Sequence, residues 1–110
     1  MALSALQTAF LIIRSLREPL TIITRFDADL ARQIRRAASS VPGNLAEGDG
    51  RTGRDQLHHF RVAYTSAAEV SAHLTTAVAW GYLDEAAVAT PLALLDEVRA
   101  MTWRLSRPRR

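Results

Sequence analysis

The 110-residue chain contains no cysteine and no lysine. The first absence removes a disulfide framework, a thiolate metal site and a cysteine nucleophile. The second makes all fourteen cationic side chains arginine, for which codon bias is a simpler account than selection for guanidinium chemistry. Aromatic residues are sparse at 6%, while Ala and Leu supply most of the 48% hydrophobic content. That mix favours helices over strands. Long apolar runs are missing as well. "AFLII" at 9–13 stops at Arg14, far short of the roughly 20 residues a bilayer span requires. It neither follows a basic stretch nor precedes a small-residue cleavage site, so no signal peptide is expected. The chain reads as cytoplasmic, without a membrane partner, and its length suits one domain covering 1–110.

Acidic residues are missing from one segment only. The last twelve residues, "RAMTWRLSRPRR", carry five arginines and no carboxylate, and the remainder of the chain then has a net charge of −2. The basic character therefore belongs to the C-terminal end, with a tail at 104–110, where it adds salt-sensitive affinity for phosphate or is simply a solvated terminus.

What remains is helical periodicity. Leu3, Leu6, Phe10, Ile13 and Leu16 recur at three- and four-residue spacing and predict a first helix over 3–25, which Pro19 ends or kinks. Asp27 or Asp29 is a suitable N-cap for a second helix over 28–47, striped by Leu30, Ile34, Ala37, Val41 and Leu45. A third helix is expected over 55–80. Its seam of Leu57, Phe60, Tyr64, Ala67, Ser71, Leu74 and Val78 suits a left-handed bundle. A second stripe of Ala63, Ser66, Val70, Ala77 and Trp80 lies about 100° away on that helix, which marks either a wide core-facing surface or a subunit interface. Gly81 then stops the helix and Asp84 caps the next. The fourth helix runs to 106 from 84, or from 91 if Thr90-Pro91 marks its true start. The fold class is all-α, an up-and-down four-helix bundle.

Tests for chemistry return little. "GDGRTGR" lacks G-K-[ST], follows no strand and has no alternating Asp/Asn ligands, so it is neither a nucleotide loop nor a calcium loop. His58 and His59 are adjacent on a helix and point apart. Glu69 and His73 share a face, but the further carboxylates and second Glu-x-x-His of a di-metal bundle are lacking. A helix-surface ion pair or hydrogen bond is expected instead. No catalytic residue, metal or cofactor is expected. Trp80 and Trp103 would stack on bases or serve as packing at helix ends.

The segment "QIRRAASSVPGNLAEGDGR" at 33–51, then "FRVAYTSAAE" at 60–69 and "AWGYLDE" at 79–85, resembles the four helix bundle protein family, also called the 23S ribosomal RNA intervening-sequence protein family. Gln33, Arg35, Arg36, Ala37, Ala38, Ser40, Asn44, Ala46, Glu47, Gly48, Gly50 and Arg51 fit its first block. Phe60, Ala63, Ser66 and Glu69 fit the second, with Thr65 where the family usually has Gly. The resemblance implies a four-helix bundle assembled as a ring-shaped homopentamer, with no enzymatic activity. A related branch, the accessory proteins of diversity-generating retroelements, implies nucleic acid and a reverse transcriptase as partners. It also tilts the second stripe of the third helix towards an interface.

Two site expectations follow. In the first, Asn44, Glu47, Arg51 and Glu69 form a structural lock, with Arg51 bridging Glu47 and Glu69 through charge-assisted bonds. In the second, Arg35, Arg36, Arg51 and Arg54 form a phosphate-contacting surface, extended by Arg104, Arg107, Arg109 and Arg110 of the tail. The expected function is that of a non-enzymatic homo-oligomer binding RNA or other nucleic acid, or associating with a ribonucleoprotein. The alternative is a protein-interaction scaffold docking a partner polypeptide on its ring surface.

Overall fold

A computed structural model describes residues 2–108, and the described chain is four helices without a strand. They are α1 (Ala2–Phe26), α2 (Ala28–Asp49), α3 (Gly53–Ala79) and α4 (Glu85–Leu105). One residue separates α1 from α2, three separate α2 from α3, and five separate α3 from α4. Connections this short force successive helices to run antiparallel. Each helix packs on its neighbours in sequence, and α1 closes against α4. The result is an up-and-down bundle of 45 × 22 × 20 Å.

The turns carry the chemistry that the sequence assigns to them. Asp27 caps α2, its carboxylate accepting from the Leu30 N–H at 2.9 Å. Asp84 does the same for α4 through the Ala87 N–H at 3.1 Å. Gly81, with φ of +79°, occupies the left-handed position that a Schellman turn needs. There the Gly81 N–H donates to the Val78 carbonyl at 2.9 Å and the Tyr82 N–H to the Ala77 carbonyl at 3.0 Å. Tyr82 then folds back over the first connection. Its ring stacks on Phe26 at 5.3 Å and its hydroxyl donates to Asp27 at 3.2 Å.

Of the two starts expected for α4 the structure takes the earlier, and other helix expectations are corrected. Pro91 does not start α4 but lies buried inside it, and α4 begins at Glu85 under the Asp84 cap. Pro19 and Pro42 are likewise buried inside continuous helices; each forfeits one backbone bond that burial of the ring offsets. On α1 the inward face is Ala5, Ala9, Ile12, Leu16, Leu20 and Ile23, whereas Leu3 is 67% and Phe10 48% exposed. Small side chains face in because they let neighbouring helices approach closely, and the bulkier Leu3 and Phe10 are displaced to the flank. On α3 the second stripe turns inward: Ala63, Val70 and Ala77 are fully buried in the bundle's own core. Ser66 is half-buried, and Trp80, 70% exposed, lies on the surface. That stripe is core, not subunit interface. The α2 stripe is buried as expected.

The antiparallel course brings the α2–α3 connection, the start of α1 and the end of α4 to one end of the rod. A cleft there is lined by Ala2, Asp49, Gly53, Gln56, Leu105 and Pro108.

Candidate functional site

Two polar features stand out from this frame: a hydrogen-bonded row in the α2–α3 seam and an arginine-rich face on α1 and α2. The row begins where Ser66 of α3 donates to the Ser40 hydroxyl at 2.9 Å. Asn44, one turn on, donates its amide to the Ser40 carbonyl at 2.9 Å and to the hydroxyl at 3.0 Å. The Asn44 amide oxygen then lies 3.0 Å from Nδ1 of His59. Because that oxygen only accepts, Nδ1 carries the proton. The other ring nitrogen, Nε2, faces Asp55 at 3.9 Å. Asp55 accepts from Arg51 at 2.7 Å, and Arg51 donates its second nitrogen to Glu47 at 3.0 Å. Alongside, the Gln56 amide donates to the Gly48 carbonyl at 3.0 Å.

The row runs from the connection about three turns into the bundle and ties α2 to α3 on one side of the core. Gly48 lies on that core side, where its backbone meets the buried Phe60 ring. A Cβ at Gly48 would fall 2.6 Å from Phe60 Cε1, so the glycine is required by close approach. The two serines bond Asn44 and each other rather than the imidazole, so the row does not present a serine–histidine nucleophile pair.

The predicted lock is therefore half corrected. Arg51 does hold Glu47, but its second carboxylate is Asp55, not Glu69. Glu69 instead pairs with His73 on its own helix at 3.1 Å. Asp55 wins because it lies one turn beyond Arg51 at the start of α3, whereas Glu69 is four turns farther along that helix. The paired carboxylates, Asp55 first and Glu47 second, raise the Arg51 guanidinium above its ordinary value. His59 and Asp55, which complete the row, were not anticipated. Their signal in the sequence is only the four-residue spacing that runs Glu47, Arg51, Asp55, His59.

The predicted phosphate surface is also divided. Arg51 is neutralised by its two carboxylates and does not join it. Arg35 and Arg36 lie on the outer side of α2, about four turns from Arg51. Arg54 is at the opposite end of α3 from Trp80, near the close of α4, where Arg104 and Arg107 are exposed. Arg109 and Arg110 lie outside the described residues. The structure gathers a different set. Arg17 of α1 and Arg35 of α2 line opposite walls of one groove, floored by Ile13, Leu16, Leu20 and Ala38. Arg14 and Arg25 flank it on α1, and Arg32 and Arg36 on α2. Among the described residues only Arg32 of these six makes an ion pair, with Asp29 at 3.0 Å. Glu18 and Asp29 are the two acids in the same clefts.

Among the described residues no three His, Asp or Glu side chains converge as a metal site, and no helix is long and apolar enough to cross a membrane. The sequence profile of the 23S rRNA-intervening sequence protein family matches residues 3–104. No curated protein and no solved structure matches the chain.

Proposed function

The chain belongs to the 23S rRNA-intervening sequence protein family, and from that premise we propose that it is a non-catalytic, self-associating bundle that binds RNA through the α1–α2 arginine face. The observation that carries this reading is the concentration of Arg14, Arg17, Arg25, Arg35 and Arg36 on one face, unpaired among the described residues. Most acids lie elsewhere: Glu69 on α3, Asp84, Glu85, Asp96 and Glu97 around α4, and Glu47 and Asp55 beside Arg51. The negative charge of residues 1–98 as a whole thus coexists with a locally positive face. Guanidinium groups bond phosphate oxygens in pairs, and a row of them across two helices suits the backbone of a structured RNA. The family's name points to the same class of ligand, and a cytoplasmic setting goes with it.

Self-association is supported by α1. Leu3, Phe10 and Leu11 are 67%, 48% and 46% exposed within three turns of one another, an apolar surface of the kind that a second subunit covers. A ring, with five copies as the family resemblance implies, is the assembly we propose.

The test is fluorescence anisotropy with an RNA hairpin, titrated with salt. Affinity should fall with a log–log slope of about 0.7–0.9 per phosphate contacted, and Arg17→Glu/Arg35→Glu should flatten that slope by about two. A hairpin that does not bind at about 50 mM salt overturns the RNA reading. Salt-insensitive capture of a purified partner polypeptide, a reverse transcriptase being the first to try, would mark the scaffold instead. Light scattering reads the assembly in the same samples, and Phe10→Glu/Leu11→Glu should lower the mass to that of the monomer.

A further inference from the structure

On the other side of the bundle, away from the α1–α2 face, α3 and α4 form an open groove lined by Tyr64, Asp96, Arg99, Trp103 and Arg104. We infer that this groove is a stacking site for unpaired RNA bases, with Trp103 as the platform; the inference rests on the RNA-binding reading above and assigns that function a second, strand-selective contact.

Four observations converge on it. Trp103 remains 45% exposed even though the Arg107 guanidinium lies 3.7 Å from its ring centre. Arg99 is placed over the neighbouring Tyr64 ring at 5.6 Å, so the groove holds two aromatic rings, each with a guanidinium on it. Arg99 is also under-used. Its Nε is buried with no hydrogen-bond partner among the described residues, and its nearest carboxylate, Asp96, is at the limit of an ion pair at 4.0 Å. Finally, the charge is one-sided: Arg99 and Arg104 line the groove with a single acid, Asp96, and Arg107 lies on the Trp103 ring.

Planar rings beside guanidinium groups that hold no carboxylate closer than 4.0 Å among the described residues match the two halves of an exposed nucleotide, a base face and a phosphate. A duplex offers only the second, because its base faces are buried in the stack. A second copy docked two-fold on this groove is disfavoured, since the same three arginines would face each other, and a head-to-tail copy in a ring is tested by the oligomer mass below. An acidic peptide would satisfy the arginines but leave the two rings without planar partners.

The experiment uses Trp80→Phe, which leaves Trp103 as the sole indole and changes a residue at the far end of the bundle. Tryptophan emission is titrated with a single-stranded ten-nucleotide RNA and with a blunt hairpin closed by a non-nucleotide linker, which presents no unpaired base. The expected result is quenching by the single strand only. In the same background Trp103→Ala should weaken the single strand by roughly 5- to 150-fold, the range expected for one stacked base. Trp103→Phe should recover part of that loss, and hairpin affinity should be unchanged by either substitution. Retained hairpin binding also shows that the variants are folded. The inference is overturned if the hairpin binds but the single strand neither quenches Trp103 nor responds to its removal. It is equally overturned if poly-glutamate quenches Trp103 as strongly, or if Trp103→Ala lowers the oligomer mass instead. Failure of the hairpin itself would count against the parent reading.

Discussion

Gly43 and Gly48 occupy the same helix, yet their alanine substitutions should have opposite signs. At Gly43 an added Cβ meets nothing within 4 Å, so Gly43→Ala gains helix propensity and should stabilise the fold by about 0.5–1 kcal/mol. At Gly48 the same methyl would overlap the buried Phe60 ring at 2.6 and 2.8 Å. Overpacking of about 1–3 kcal/mol outweighs the propensity gain, and Gly48→Ala should destabilise. Urea denaturation of the two variants decides the matter, and a stabilising Gly48→Ala would refute the close-approach account. Arg51 allows a similar contrast. Its pairs with Glu47 and Asp55 are about half exposed, so each is weakened by solvent screening. A double-mutant cycle of Arg51→Ala with Asp55→Ala should show a small but measurable coupling. The cycle of Arg51→Ala with Glu69→Ala should be additive within about 0.3–0.5 kcal/mol, and coupling there would restore the lock as first drawn.

Among the elements, the connections were the most legible. Asp27, Gly81 and Asp84 act where local side-chain and backbone rules place them, because a cap depends only on residues a turn away. The α2 stripe was equally direct, since its large apolar side chains and its core face coincide. On α1 they do not. Periodicity of bulky residues selected Leu3 and Phe10, while the packing distance between helices selects Ala5 and Ala9, a property of the neighbour that one helix's sequence does not carry. The same holds for the seam. That Asn44, Glu47 and Arg51 form a lock could be read from residue type, but their partners depend on the register of α3 against α2. Register is what separates Asp55 and His59 from Glu69. The Tyr82 turn gives this scale its own test. Partial burial first and the Asp27 carboxylate second push the Tyr82 phenol above its ordinary value of 10.0. The folded chain then holds the phenol proton more tightly than the unfolded one. This contribution is complete below about pH 10 and declines as pH rises through the folded value. Tyr82→Phe should therefore lower the alkaline fall of the melting temperature, and an unchanged fall would exclude Tyr82 as its source.

For the molecule as a whole, the separation of charge by face was hidden from composition. A count over residues 1–98 gives a weak negative, because acids on α3, α4 and beside Arg51 cancel arginines that are spatially apart from them. Only the order of the helices around the bundle shows Arg17 and Arg35 as opposite walls of one groove. The same order places Tyr64 and Trp103 on the far side, so a bundle 20–22 Å thick presents one face without exposed aromatic–guanidinium pairs and one with two of them.

The cleft shared by Ala2, Leu105 and Pro108 brings the first and last described residues to the same end of the rod. A short Gly/Ser bridge from residue 108 to residue 2 would join them, and an opening between Tyr82 and Leu83 would leave both the Gly81 turn and the Asp84 cap intact. Such a circular permutant exchanges which helices are terminal without changing any pair that packs. Local contacts dominate a helical bundle, so its relative contact order stays low and folding should remain fast. Circular dichroism and stopped-flow refolding would read this out as retained helicity and a rate within about tenfold of the parent. A permutant that fails to fold would show that the order of the helices along the chain, and not only their arrangement in space, is part of what specifies the bundle.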